Sequence, residues 1–284
     1  MSHVIALVDG SLYAHSVCDH AAWIAGRTGA SVELLHVLGR REAPAADADL
    51  SGSIALGART ALLQELTALD AERAKLSQRR GRAILEDAKA RIESAGGCAV
   101  TTRLRFGDVV ETVAELEADA DMVVIGKRGE AADFARGHLG SNLERVARAS
   151  HRPVLVAARA FRPIARVLIA YDGGTSSMKA VDHVARSPLF AGLACTLLSA
   201  GPDNPETARG LANARAMLEA GGHAAETAMV PGQPETVISE AVEASGIDLL
   251  VMGAYGHSRI RSLILGSTTT QMIQLCRIPV LLFR

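Results

Sequence analysis

The feature that most restricts how this chain can fold is that it is written twice. His3-Val4-Ile5-Ala6-Leu7-Val8-Asp9-Gly10-Ser11 is an apolar stretch ending on a carboxylate and turn formers, and Arg166-Val167-Leu168-Ile169-Ala170-Tyr171-Asp172-Gly173-Gly174 repeats it. Each copy leads into a helical pattern with an Asp-His pair, Asp19-His20 and Asp182-His183, at the same distance from Asp9 and Asp172. The parallel continues. Apolar runs recur at Ser31 to Leu38 and Ala194 to Ala200, then at Asp121 to Gly126 and Asp248 to Gly253, and each unit closes on a proline followed by an apolar run, Pro153-Val154-Leu155-Val156 and Pro279-Val280-Leu281-Leu282. A repeat longer than about 120 residues is a duplicated domain, not a solenoid.

Within each unit, near-continuous apolar runs alternate with helical patterns. That alternation calls for parallel strands covered by helices on both faces. Each half is therefore expected to be a doubly wound, Rossmann-like α/β domain, residues 1–159 and 160–284, joined at Arg159-Ala160-Phe161-Arg162-Pro163. Such sheets bind ligands beyond the carboxyl ends of their strands, where the strand order reverses. Asp9, Asp172 and the glycines after the Asp121 to Gly126 and Asp248 to Gly253 runs fall at such ends.

Composition removes several function classes. Lys and Arg total 30 against 31 Asp and Glu, so no global field favours nucleic acid or an acidic membrane. The N-terminus enters a strand directly, without a leader pattern, and no apolar run approaches a membrane span. Cys18, Cys98, Cys195 and Cys276 are scattered in or beside apolar segments and suit a reduced cytoplasm.

The halves differ most between the second strand and Gly96. The second half uses a short bridge, Gly201 to Pro205, and one helix to Ala220. The first half has a Pro/Ala/Asp-rich loop from Glu42 to Ser53 and then helix formers from Ile54 to Ala95. Leu62, Leu66, Leu69 and Leu76 recur at near-helical spacing, with Ile84, Ala88 and Ile92 continuing the stripe, which gives either one long helix or a pair broken near Gly81. Core and partner interface are both open for that stripe. A homodimer through residues 54–95 is the assembly it would support. The basic run Arg79, Arg80 and Arg82 lies among acidic residues and reads as a solvated face.

Gly253, Gly256, Gly266 and Ser267 spell G-x2-G-x9-G-S between a buried strand and a helix. Glycine permits close backbone approach, and a helix N-terminus carries unpaired N–H donors and partial positive charge, so the occupant suited to this point is an anion such as a phosphate. With the matched Asp172, the chain resembles a tandem universal stress protein of the adenine-nucleotide-binding type, over nearly its whole length except Glu42 to Ala95. The resemblance implies two paired nucleotide-alpha-hydrolase-like domains whose final strands meet as an internal pseudo-dimer. It further implies ATP, ADP or AMP, with Mg accompanying the phosphates, in a stress-response role. Asp172 would take the adenosine, the backbone near Ala200 the adenine edge, Met252 and Gly253 the nucleoside, and Gly256, Gly266, Ser267 and Thr268 the phosphates. Arg259 and Arg261 lie in the loop, as added charge or as surface residues.

The first half carries the corresponding Asp9, Val37, Ile125, Gly126, Gly129, Gly140, Ser141 and Asn142, with one more residue in the loop. Glu130 and Asp133 there disfavour a polyanion, partly offset by Lys127, Arg128 and Arg136. The expectation is nucleotide chiefly in the second domain. Alternatives are slow ATP hydrolysis, or a different nucleotide-linked or lipid-like metabolite in one domain. No P-loop, no G-x-S-x-G elbow and no zinc-type His or Cys spacing occurs, so no catalytic or metal residue is assigned.

Overall fold

The computed structural model describes residues 2–39, 56–130, 140–254 and 266–284. The first domain runs β1 (His3–Leu7), α1 (Ala14–Thr28), β2 (Ser31–Leu38), α2 (Leu56–Ala95), β3 (Val100–Phe106), α3 (Val109–Leu116), β4 (Met122–Gly126), α4 (Ser141–Ala149) and β5 (Val154–Ala157). The second repeats the order with β6 (Arg166–Ala170), α5 (Thr175–Arg186), β7 (Ala194–Ala200), α6 (Pro205–Ala220), β8 (Ala225–Val230), α7 (Pro234–Ala244), β9 (Leu249–Gly253), α8 (Ser267–Leu275) and β10 (Val280–Phe283).

The strands form one sheet of ten, ordered β3-β2-β1-β4-β5-β10-β9-β6-β7-β8. Every pairing within a domain is parallel, while β5 and β10 meet antiparallel with Leu155 opposite Leu281. The seam removes two apolar edges that would otherwise invite association. Strand residues alternate between two cores. Val4, Ala6, Leu155 and Leu281 face the layer of α1, α2, α5 and α6, and Ile5, Val154, Val156 and Val280 face that of α3, α4, α7 and α8. Both cores run across the seam.

Polar contacts also cross it. Lys127 Nζ, just past β4, donates to the carbonyl of Cys276, the C-cap of α8. Arg284, just past β10, donates to the Arg148 and Ala149 carbonyls at the end of α4, at 2.9 and 3.3 Å. A cation from the opposite domain thus caps each helix where its dipole is negative. His20 on α1 lies edge-on to Phe161, and His183 on α5 lies 5.1 Å from Phe283. Asp19 instead pairs with Arg91 and Asp182 with Arg186. The Asp-His pairs are packing and surface residues.

The alternative of a helix pair is corrected by α2, which runs unbroken through Gly81. Gly81 marks a close approach: a Cβ there would fall 2.8 Å from Leu104 Cδ1 and 2.9 Å from His36 Cδ2. The apolar stripe splits. Ala88 and Ile92 are buried and Ile84 half-buried, with Leu85 beside it buried as well, but Leu66, Leu69 and Leu76 are exposed. Leu62 lies outside the described side chains, and the loop residues 42–53, with Ile54, lie outside the described residues.

Candidate functional site

The switch point of the first domain lies between β1 and β4, and the residues there are locked by main-chain geometry. Asp9 Oδ1 accepts the Ser11 N–H at 3.0 Å, and Oδ2 accepts the Glu130 N–H at 3.0 Å. Gly126 is glycine because a Cβ would sit 2.7 Å from Tyr13 Cβ, where α1 begins, and Gly129 because a Cβ would sit 2.9 Å from Asp9 Oδ2. The loop after β4 closes on itself, the Gly140 N–H donating to the Lys127 carbonyl at 3.2 Å. Gly140 is then the N-cap of α4 and offers no side-chain cap, whereas Asp108 caps α3 by accepting from the Val110 and Glu111 N–H groups. Among the described residues no side chain caps the first-turn donors of α4, an arrangement that suits an anion.

Between β1 and β2 the ladder opens. Val8 N–H still bonds the Leu35 carbonyl at 3.0 Å, but the Val8 carbonyl accepts from His36 Nδ1 at 2.7 Å. Residues two apart in a strand present their backbone to the same neighbour, so Val37 turns its N–H and C=O toward β1, into the gap. The result is a cleft of about 900 Å³ lined by Asp9, Val37, Ile125, Gly126, Gly129, Gly140, Ser141 and Asn142. All eight first-domain candidates therefore converge on one cavity, of a size that suits a nucleotide.

Its charge differs from the reading of the sequence. Arg80 of α2 also lines the cleft and pairs with Glu130, so the carboxylate that counted against an anion has a cationic partner, and Arg80 is more than part of a solvated face. Ser77, Gly81 and Ile84 add the rest of an α2 wall. Arg145, also in the lining, pairs with Asp108 at 2.8 Å, and that hydrogen bond holds the Asp108 carboxyl below its ordinary range. Lys127 points away from the cleft and is buried; desolvation lowers its ammonium from 10.5 to about 8. Asp133 and Arg136 lie outside the described residues. The α2 wall is not legible in the sequence, where Arg79, Arg80 and Arg82 read as a solvated face.

The second domain repeats the frame. Asp172 Oδ1 accepts from the Gly174 N–H at 2.8 Å and from Ser177 Oγ at 2.7 Å. Gly253 faces Ser176, whose Cβ would be 2.9 Å from a Cβ on the glycine. The Gly266 N–H donates to the Ala254 carbonyl at 3.2 Å, matching Gly140 and Lys127, and Thr269 Oγ1 donates to the Gly253 carbonyl at 3.2 Å. Gly266 N-caps α8 without a side-chain cap, with Ser267 and Thr268 in the first turn. Tyr171 N–H bonds the Leu198 carbonyl, which leaves Ala200 the counterpart of Val37, and Met252 is buried at the end of β9. Gly256, Arg259 and Arg261 lie outside the described residues.

The sequence profile of the universal stress protein family matches residues 1–158 and again residues 163–284. The chain belongs to the universal stress protein family. It is 38% identical to universal stress protein Slr1230 of a Synechocystis strain, with 100% of each chain covered. Among solved structures it is similar to a universal stress protein of Archaeoglobus fulgidus, with a TM-score of 0.70 at 19% identity, covering 99% of this chain and 98% of that one. A putative universal stress protein of Pseudomonas aeruginosa follows with a TM-score of 0.63 at 17% identity, covering 100% and 93%. At those identities the structures support the fold alone. For this member of the family, no group of three or more His, Cys, Asp or Glu among the described residues is placed to hold a metal, and no helix among them is long and apolar enough to cross a membrane.

Proposed function

We propose that this universal stress protein binds adenine nucleotide, with ATP as the ligand, as a cytoplasmic stress-response module whose binding or regulatory state follows the nucleotide. ADP and AMP would use the same contacts, and Mg would accompany the phosphates. The observation that carries the reading is the convergence of all eight first-domain motif positions on one cleft beneath the uncapped start of α4. Asp9 would accept from ribose hydroxyls, the Val37 backbone would meet the adenine edge, and Gly140, Ser141 and Asn142 would present N–H groups to phosphate oxygens. In the second domain Asp172, Ala200, Gly253, Gly266, Ser267 and Thr268 would do the same.

The two domains are weighed differently by two arguments. Spacing and loop charge favour the second domain, while the pairing of Glu130 with Arg80 relieves the charge objection to the first. We therefore assign nucleotide to both. The test is Gly140→Asp and Gly266→Asp, singly and together, with ATP binding measured by equilibrium dialysis. Both glycines have φ near −60° and no close atom nearer than 3.4 Å to an added Cβ, so the fold should tolerate the change. An aspartate at an N-cap also stabilises a helix while occupying its donors. Each variant should lose one site. ATP binding unchanged in the double variant would refute the proposal.

A further inference from the structure

A helix crossing back from β2 to β3 runs against the strands, so lengthening it at its N-terminus carries it past the carboxyl edge of the sheet, where the clefts open. That is what α2 does, with 40 residues where α6 has 16. The buried triads Leu85, Ala88, Ile92 and Leu211, Ala214, Leu218 share one spacing, and matching them sets Arg80 opposite Glu206, at the very start of α6. At the position where α2 carries a cation, α6 thus carries a carboxylate.

Arg80 is placed to meet a ligand. Its Nη2 lies 2.8 Å from where a Gly10 Cβ would be, so it reaches across the α2 wall to the turn that follows Asp9. Its carboxylate partner Glu130 belongs to the β4 loop and is itself held by its N–H to Asp9. The pair is about half exposed on both sides, 54% and 45%, and an ion pair so hydrated contributes little. A phosphate oxygen entering the cleft offers a guanidinium a stronger partner.

Resting on the nucleotide reading above, we propose that Arg80 is the residue by which the first-domain cleft discriminates phosphorylated from unphosphorylated adenosine. It exchanges Glu130 for an anionic oxygen of the ligand. The second domain has Glu206 at the matching position and no such guanidinium on α6 there.

The experiment uses the full chain carrying Gly266→Asp, so that only the first cleft reports, and measures dissociation constants of ATP and adenosine by calorimetry. Arg80→Gln should weaken ATP roughly ten- to hundredfold and leave adenosine within about twofold. Arg80→Lys should recover part of the loss, and Glu130→Gln, which removes the competing carboxylate, should tighten ATP. Melting curves check that each variant folds. If ATP and adenosine both bind but their ratio does not move in Arg80→Gln, this inference falls and the nucleotide reading stands. If neither ligand binds any version of the chain, the reading itself falls, and the inference with it.

Discussion

Lys127 offers a quantitative test of how the domains are joined. Its side chain is 8% exposed, donates to the Cys276 carbonyl of the opposite domain, and is held at about 8 chiefly by desolvation, against 10.5 for an ordinary lysine. Between those values the unfolded chain binds a proton that the folded one does not, so stability rises with pH across that window. Below about pH 8 the burden of the buried charge is complete and constant; above 10.5 it has gone. At 1.36 kcal/mol per unit the gain is about 3 kcal/mol. The neutral amine still donates to the carbonyl. Lys127→Met removes the titration and leaves that carbonyl without its donor, a roughly constant cost of about 1–3 kcal/mol. Urea unfolding of both proteins at pH 7.5, 8.5, 9.5 and 10.5 isolates the effect when each also carries Cys276→Ala, because that thiol is coupled to the ammonium. The stability of the wild type relative to the variant should rise with pH. A difference that stays flat, or narrows, would refute the buried cation across the seam.

Two helix glycines should respond in opposite ways to alanine. Gly26 has nothing within 4 Å of an added Cβ, so Gly26→Ala should stabilise by roughly 0.5–1 kcal/mol, read as a higher melting temperature. Gly81→Ala gains the same propensity but presses on Leu104 and on the His36 ring that bonds Val8, so it should be neutral to about 2 kcal/mol destabilising and should weaken first-domain binding. Burial lowers His20 from 6.5, so the unfolded chain takes up a proton first as pH falls. Stability should drop below about pH 6.5, and less steeply in His20→Gln, as followed by urea midpoints at pH 5, 6 and 7.

The duplication, the doubly wound class and the eight interior strands were legible because their residues face cores on both sides. Val123 and Val124 of β4, like Leu250 and Val251 of β9, are 0% exposed and belong to unbroken apolar stretches. The edge strands β3 and β8 were not assigned, since Thr101, Thr102, Arg103 and Arg105 or Glu226 and Thr227 carry no such run. The glycine motif was legible in its spacing: Gly126, Gly129 and Gly253 stand where a Cβ would press on a neighbour, and Gly140 and Gly266 stand where a helix begins. Arg80 was not. Its role depends on α2 being continuous through Gly81 and on a partner 50 residues away, and neither is written in the charge pattern of residues 79–82.

Native mass spectrometry of the freshly purified full chain, with ATP added stepwise, counts the nucleotides held at the two proposed sites. Two adenine nucleotides per chain in the wild type, one in Gly140→Asp, one in Gly266→Asp and none in the double variant is the predicted series. A chain that takes up no nucleotide at saturating ATP, or the same number in all four proteins, would contradict it.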